Sequence, residues 1–408
     1  MQSFHPAHLL NAIKWRTLVA LAKVHRRYLN GVPFIGITGS CAKTTTKTLL
    51  AGILSERYRV AQNPGSKNRT EALAKTILRT KRKGLCIQEL GASGIGSLDA
   101  MVALFKPTIA VITNVMRDHF TAYRSLEAIA LEKSKLVAAL SVSGTAVLNA
   151  DDPLVLEMGD KTEGNKLTYG FSEGADLRAV GFNSPWPGYL NGNVIWQGRR
   201  YPVVTRLLGE HWAPAVLAAM GAALSLGMAM KEIVARLAII DPPEGRYSTE
   251  FLPNGVTMIC DDFKSPMHSI QPALSFLQTA GSKRKIVVVG HISDYSNSSS
   301  HGYKRVASEA IAVCDKVLLV NRFASPRLST LSRRHRERVH CFDRLEEVKD
   351  FLVDYLRPGD LVLLKGIRKM DHFERVVMAF NDGVACWESK CGYQAPCGEC
   401  PRRDRAAP

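Results

Sequence analysis

The sequence predicts an α/β chain with two mostly parallel sheets in succession and a short cysteine-rich tail. Three observations predict it. Apolar runs of strand length alternate with amphipathic helical stretches from residue 33 onward. The alternation stops at Pro242-Pro243 and then starts afresh. Four of the nine cysteines crowd into residues 386–408. With 408 residues the chain has room for two or three separate cores.

Taken in order, residues 5–28 read as a helix. Leu10, Ile13, Leu18, Leu21, Val24 and Tyr28 recur at helical spacing among Lys14, Arg16, Lys23, Arg26 and Arg27. Packing on the first domain is its first expected role, and contact with an anionic membrane surface is the second. Strands follow at 33–37, 84–89, 108–113 and 144–148, with helices at 70–80, 97–105 and 125–140 between them. Between Asp176 and Thr205 the pattern turns to hairpins, with turns at Asn191-Gly192 and Gln197-Gly198. Helices return at 210–226 and 231–237, and Asp241-Pro-Pro-Glu-Gly-Arg246 is the expected linker. Beyond it come strands at 257–261, 285–289, 316–320 and 360–364 and a last helix over 371–380. The expected divisions are a basic helix at 1–32, a first domain at 33–243, a second at 244–385 and a tail at 386–408.

Composition narrows the partners. Lys and Arg number 54 against 37 Asp and Glu, a net charge of +17, which suits a nucleotide, an acidic glycan or a phospholipid surface. Nucleic acid is not expected, because no base-reading motif is present. No apolar run approaches the length of a membrane span, and the N-terminus lacks a signal-peptide pattern. Nine cysteines, five of them scattered in or near predicted strands and helices, point to a reducing compartment, hence a cytoplasmic protein, with membrane association through the first helix left open.

Chemistry concentrates in Phe34-Ile-Gly36-Ile-Thr-Gly39-Ser40-Cys-Ala42-Lys43-Thr44-Thr45-Thr46-Lys47. An apolar strand runs into a tight loop that opens a helix, so loop amides and a helix N-terminus converge on one anion site. Lys43 can reach terminal phosphates there, and Thr44 offers a hydroxyl to Mg2+. The glycine that usually precedes the lysine is Ala42. The first domain is thus expected to be a P-loop NTPase-like parallel sheet and the second a Rossmann-like α/β fold. Three further points can face the loop: Glu89 at a strand end, Asn114 followed by Asp118-His119, and Lys133 in a helix beside Glu132. Glutamate and histidine just past strand ends beside a triphosphate suit magnesium ligation.

In this order, Gly36-Ile-Thr-Gly-Ser-x-x-Lys-Thr-Thr, Glu89-Leu-Gly-Ala, Ile-Thr-Asn114 with Asp118-His119, Glu-Lys133-Ser-Lys-Leu and Leu148-Asn-Ala-Asp-Asp-Pro153 resemble the Mur ligase family, and most of all its MurF branch. Gly209-Glu-His211, Gly245-Arg246, Asp261-Asp262 and Leu364-Lys-Gly366-Ile-Arg368 extend the resemblance over about residues 33–380. It implies ATP-dependent amide formation, in which a phosphorylated carboxylate is attacked by an amine. It places Lys43 on the β- and γ-phosphates, Gly39, Ser40, Thr45 and Asn114 around the nucleotide, and Thr44, Glu89 and His119 on Mg2+. Lys133 matches the lysine that the family often carbamylates. Arg246 matches the linker arginine that reaches the nucleotide, and Asp261, Asp262 and Lys264 match a turn that contacts ribose or phosphate. The implied partners are ATP, an amino acid or short peptide, and an acidic carboxylate acceptor on an envelope peptide, polyglutamate or glycan. Genuine MurF activity and a non-catalytic nucleotide-dependent binding module are the alternatives; the oligomeric state is open.

Three departures accompany the resemblance. Only about 32 residues precede the phosphate-loop strand, where MurF ligases carry a domain that grips the UDP-sugar, so a different acceptor is expected. The family's His-Asn-x-x-Asn reads His211-Trp-Ala-Pro-Ala215, with Trp212 available to stack on the base and a looser choice between ATP and GTP expected. Lastly, Cys386, Cys391, Cys397 and Cys400 suit a four-thiolate site, for zinc first and an iron–sulfur cluster as the alternative.

Overall fold

A computed structural model describes residues 6–117, 120–293, 299–320, 335, 337–381, 383–388, 393, 396 and 397–404, with the side chains of 6–12, 120, 121, 299 and 300 left aside. It divides into two compact units, one comprising residues 1–183, 190–206 and 211–241 and the other 184–189, 207–210 and 242–408.

The first unit is built on a nine-stranded sheet. Its strands are β1 (Phe34–Thr38), β2 (Arg59–Gln62), β3 (Gly84–Glu89), β4 (Ile109–Ile112), β5 (Thr145–Asn149), β6 (Asn165–Gly170), β7 (Leu177–Asn183), β8 (Asn191–Trp196) and β9 (Arg199–Val204). Their order is β2-β3-β1-β4-β5-β6-β7-β8-β9. The strands from β2 to β7 pair in parallel, and β7, β8 and β9 form an antiparallel meander on one edge. The expected hairpins therefore extend the parallel sheet. Both β2 and β6 escape apolar periodicity: β2 carries no fully buried residue, and β6 begins with two exposed ones.

β1 is buried along its whole length because it lies between β3 and β4. Its five residues, Phe-Ile-Gly-Ile-Thr, are apolar enough to sit with helices on both faces. The helix Lys43–Leu54 follows, burying Leu49, Leu50, Ile53 and Leu54. Against it lies the helix Ala213–Leu224, almost wholly of small and apolar residues and buried over ten of its twelve positions. Its lack of bulk lets two helices and the sheet approach closely.

The second unit holds a six-stranded sheet of β10 (Ser248–Phe251), β11 (Thr257–Asp261), β12 (Arg284–Val289), β13 (Lys316–Val320), β14 (Val339–Phe342) and β15 (Asp360–Lys365). The order is β10-β11-β15-β12-β13-β14, all parallel except the β10–β11 edge pair. Its core is Met258, Ile286, Val288, Leu318, Val362 and Leu364, with Val348 and Leu352 from the helix Leu345–Tyr355 and Phe373 from the turn before the helix Glu374–Phe380. Among the described residues no helix is long and apolar enough to cross a membrane.

Candidate functional site

Strand register assembles the first cluster. Ile37 in β1 pairs with Glu89 in β3, and Thr38 pairs with Ile112 in β4. The loop after β1 is therefore flanked by Glu89 on one side and Thr113-Asn114 on the other, at a point where strand order changes direction, as parallel α/β sheets place their sites.

Each contact is short. Asn114 Oδ1 accepts from the backbone N–H groups of Ser40, at 3.1 Å, and Cys41, at 2.8 Å. Ser40 Oγ donates to the Met116 carbonyl and accepts from the Met116 N–H, at 3.1 and 2.9 Å. Thr113 Oγ1 donates to the Cys41 carbonyl, at 2.7 Å. Gly39 stands at φ +148°, and a Cβ there would lie 1.8 Å from Thr113 Oγ1, so no larger residue fits without moving that hydroxyl. Ala42 is left-handed at φ 63°, where a glycine would sit without strain. The Lys43 ammonium spans the loop, donating to the carbonyls of Gly39 at 2.6 Å and Ser40 at 3.0 Å.

On the other flank, Thr44 Oγ1 donates to Glu89 Oε2 at 2.8 Å, and Asn68 Nδ2 donates to Glu89 Oε1 at 3.0 Å. Asn63 Oδ1 accepts from the Glu89 N–H, and the buried Lys47 ammonium donates to the carbonyls of Asn63, at 2.7 Å, and Gly65. Sequence reasoning missed Asn63, Asn68 and Lys47. The available signal was a polar run, Asn63-Pro-Gly-Ser-Lys-Asn68, directly after a strand. The Thr45 and Thr46 hydroxyls are buried with no hydrogen-bond partner, an arrangement that costs about 1–3 kcal/mol per group.

A magnesium nucleotide fits this donor set. The Lys43 ammonium and the first-turn amides of its helix suit anionic oxygens, while a threonine hydroxyl and a glutamate form a hard-oxygen pair for the cation. Lys133 is buried in the helix Leu126–Ala138. Its neighbour Glu132 accepts from the N–H groups of Gly96, at 2.9 Å, and Leu98, at 2.7 Å, and pairs with Lys135 at 2.9 Å. His119 and Asp118 lie outside the described residues. Trp212 is only 7 % exposed, with its ring 4.7 Å from that of His211, which leaves little of its face for a nucleobase.

A second cluster lies in the second unit. Asp261 Oδ2 pairs with Lys365 Nζ at 2.8 Å, both buried, and the same ammonium donates to the Lys264 carbonyl at 3.3 Å. The Lys264 side chain is exposed. The Asp262 carboxylate is buried without a hydrogen bond. Burial pushes its pKa up to about 7, against the pull of the Arg368 guanidinium. Arg368 lies 2.8 Å from Glu374 Oε1 and 3.1 Å from Glu244 Oε1, charge contacts whose angles fall outside hydrogen-bonding geometry. Both Arg246 and Arg368 lie over the Phe263 ring, at 4.9 and 5.6 Å. Gly245 is left-handed at φ +68°, and a Cβ there would stand 2.8 Å from both Arg368 and Asp262. A pair the sequence did not reveal is His291–Asp371: Nδ1 is 2.7 Å from the carboxylate, which raises the imidazole pKa.

In the tail, Arg375 donates to the carbonyls of Cys386 at 3.3 Å and Glu388 at 2.9 Å, and the Cys397 N–H donates to Glu374 Oε2 at 2.5 Å. Cys391 lies outside the described residues. Among the described residues, no three His, Cys, Asp or Glu side chains come together as a metal cluster, so the four-thiolate expectation finds no assembled site there.

The family model of the Mur ligase middle domain matches residues 37–223, and that of the Mur ligase glutamate ligase domain matches residues 245–368. The chain belongs to the Mur ligase family. It is an ATP-dependent ligase of that type. One relative, the UDP-N-acetylmuramoyl-tripeptide–D-alanyl-D-alanine ligase of Borreliella burgdorferi, is 28 % identical over 85 % of this chain and 74 % of its own length. The protein of the same name from Synechocystis is 30 % identical over 69 % of this chain, which spans only 60 % of that relative's length. A crystal structure of MurF from Acinetobacter baumannii superposes with a TM-score of 0.82 at 23 % identity, covering 90 % of this chain and 80 % of that one, which supports the fold.

Proposed function

We propose that this Mur ligase joins an amino acid or short peptide to a carboxylate on an acidic envelope peptide, polyglutamate or glycan. The observation that carries the reading is the register-set convergence of Lys43, Thr44 and Glu89 on one loop. A carboxylate oxygen of the acceptor attacks the γ-phosphorus of ATP and ADP leaves. The amine then attacks the acyl carbon, inorganic phosphate leaves, and the amine's surplus proton passes to solvent. Lys43 and the first-turn amides of the helix Lys43–Leu54 hold the phosphoryl oxygens, which is where charge must be met in phosphoryl transfer. Asn114 takes up the Ser40 and Cys41 amides and so fixes the course of the loop that carries Lys43. Thr44 and Glu89, with His119, would hold magnesium, which screens phosphate charge when bound. Gly39, Ser40 and Thr45 line the nucleotide side, and Arg246, Asp261, Asp262 and Lys264 are assigned to the same nucleotide from the second domain.

Lys133 we assign as a carbamylated ligand of a second cation, since a bare ammonium would repel the metals and a carbamate would bind one. Lys133→Ala should abolish turnover and Lys133→Arg should not restore it; unchanged turnover in Lys133→Ala removes the assignment. A screen of phosphate release over amino acids and acidic acceptors, followed by mass spectrometry of the product, tests the function as a whole. Release that needs both substrates supports it. Release with neither indicates a nucleotide switch.

The relatives' names favour one specific alternative, addition of D-alanyl-D-alanine to UDP-N-acetylmuramoyl-tripeptide. Tight binding of that nucleotide by calorimetry would establish it over the first reading. For the tail we retain a four-thiolate zinc site on Cys386, Cys391, Cys397 and Cys400, with an iron–sulfur cluster as the alternative, on the sequence spacing of these cysteines. Metal analysis with an absorption spectrum tests it; a coloured, iron-bearing protein means a cluster. Cytoplasmic placement, with a membrane-surface contact at the first helix, completes the reading.

A further inference from the structure

The N-terminal helix, Pro6–Tyr28, separates its apolar residues into two faces that the sequence merged. One face docks on the first unit. Ala22 is buried, Leu18 and Val19 join the core, and Arg26 donates to the carbonyls of Phe105 and Lys106, each at 2.8 Å. The other face is open: Ile13 is 54 % exposed, Leu21 55 %, Val24 49 % and Tyr28 64 %. With Thr17 these positions step by four, four, three and four residues, which is one continuous stripe on a helix. Arg16, Lys23 and Arg27, all exposed and spaced by seven and four, form a cationic stripe along one edge of it. Lys14 borders the other edge. From residue 6 to 28 there is no Asp or Glu.

We infer that this outer face rests on an anionic lipid surface. An apolar stripe with a cationic margin and no acidic group suits the boundary between headgroups and acyl chains. There the aliphatic side chains insert and the Lys and Arg heads stay among the phosphates. Nucleic acid would use the charges but leave the stripe in water. The inner face holds the helix through buried packing and backbone hydrogen bonds, so the outer face can bind lipid without unfolding the domain. The inference rests on the reading of an envelope-directed ligase and adds where that ligase works.

The test is co-sedimentation of the full chain with phosphatidylcholine vesicles, with and without phosphatidylglycerol, alongside the solution phosphate-release assay. The chain should pellet with anionic vesicles at least tenfold better than with neutral ones, and less so as salt rises. Leu21→Glu with Val24→Glu should lower that partition at least tenfold with unchanged thermal unfolding. Lys23→Gln and Arg27→Gln should each lower it about fivefold. Failure to bind anionic vesicles, equal binding to neutral ones, or no loss in the double glutamate variant overturns the inference. A dimer that dissociates in that variant without vesicle binding assigns the stripe to a second copy instead. Phosphate release needs no vesicles, so loss of the ligase reading shows separately.

Discussion

The two polar clusters differ in how their carboxylates are met. Around the phosphate loop nearly every charged or amide group has a partner at hydrogen-bonding distance: Asn114 on two amides, Lys43 on two carbonyls, Glu89 on Thr44 and Asn68. In the second unit Asp262 is buried with no hydrogen bond, and Arg368 meets Glu374 and Glu244 as ion pairs outside hydrogen-bonding geometry. A satisfied network is rigid and holds donors where charge develops, which is what phosphoryl transfer requires. A buried, unsatisfied carboxylate instead lowers stability. One cluster is therefore pre-organised for chemistry, and the other keeps charge under tension.

Four substitutions break or sharpen that contrast. The largest effect is expected at Lys43. Lys43→Ala should reduce turnover roughly 10²–10³-fold, as loss of one transition-state donor does, with thermal stability nearly unchanged. A large fall in stability would mean that the lysine is chiefly a brace for its loop. Next is Asp262→Asn. Its folded pKa of about 7 stands above the ordinary 3.8, so the ionised form costs stability as pH rises from about 4 to 7. Urea denaturation should show the variant more stable by on the order of 2–4 kcal/mol at pH 8 and no more stable near pH 4. Equal stability at pH 8 would show that the carboxylate is relieved by its neighbours.

His291 works in the other direction. Its pKa is raised by Asp371, so the pair stabilises the fold below the imidazole's ordinary pKa of 6.5. That contribution fades as pH climbs through the higher folded value. Because the ring is partly exposed, His291→Ala should cost under about 1 kcal/mol at pH 5.5 and almost nothing at pH 9. A pH-independent loss would point to packing. The smallest effect belongs to Ala42→Gly, which removes the left-handed strain at φ 63°. It should raise stability by a few tenths to about 1 kcal/mol and leave nucleotide binding intact. Destabilisation would mean that the strain is offset by loop entropy.

Local sequence carried the loop, because Gly39, Lys43 and Thr44 are adjacent residues whose roles follow from a strand–loop–helix pattern. It also carried Glu89 and Asn114, which end apolar runs. It did not carry Asn63, Asn68 or Lys47, whose neighbours in space are set by β2, a strand with no fully buried residue and so without a periodic signal. His291, on the loop after β12, and Asp371, at the end of the short helix Arg368–Asp371, meet across 80 residues of chain. The buried state of Trp212 was equally unreadable, since an aromatic at a helix start can face solvent or core with the same local pattern.

By itself the sequence determined the α/β class, the phosphate loop and the family, because strand length, helix period and loop chemistry are local properties. Only the tertiary structure decided which groups are satisfied and which are left with buried charge. It alone divided the first helix into a docked face and an open one. Periodicity says which residues share a side of a helix, and only packing says which side meets the protein.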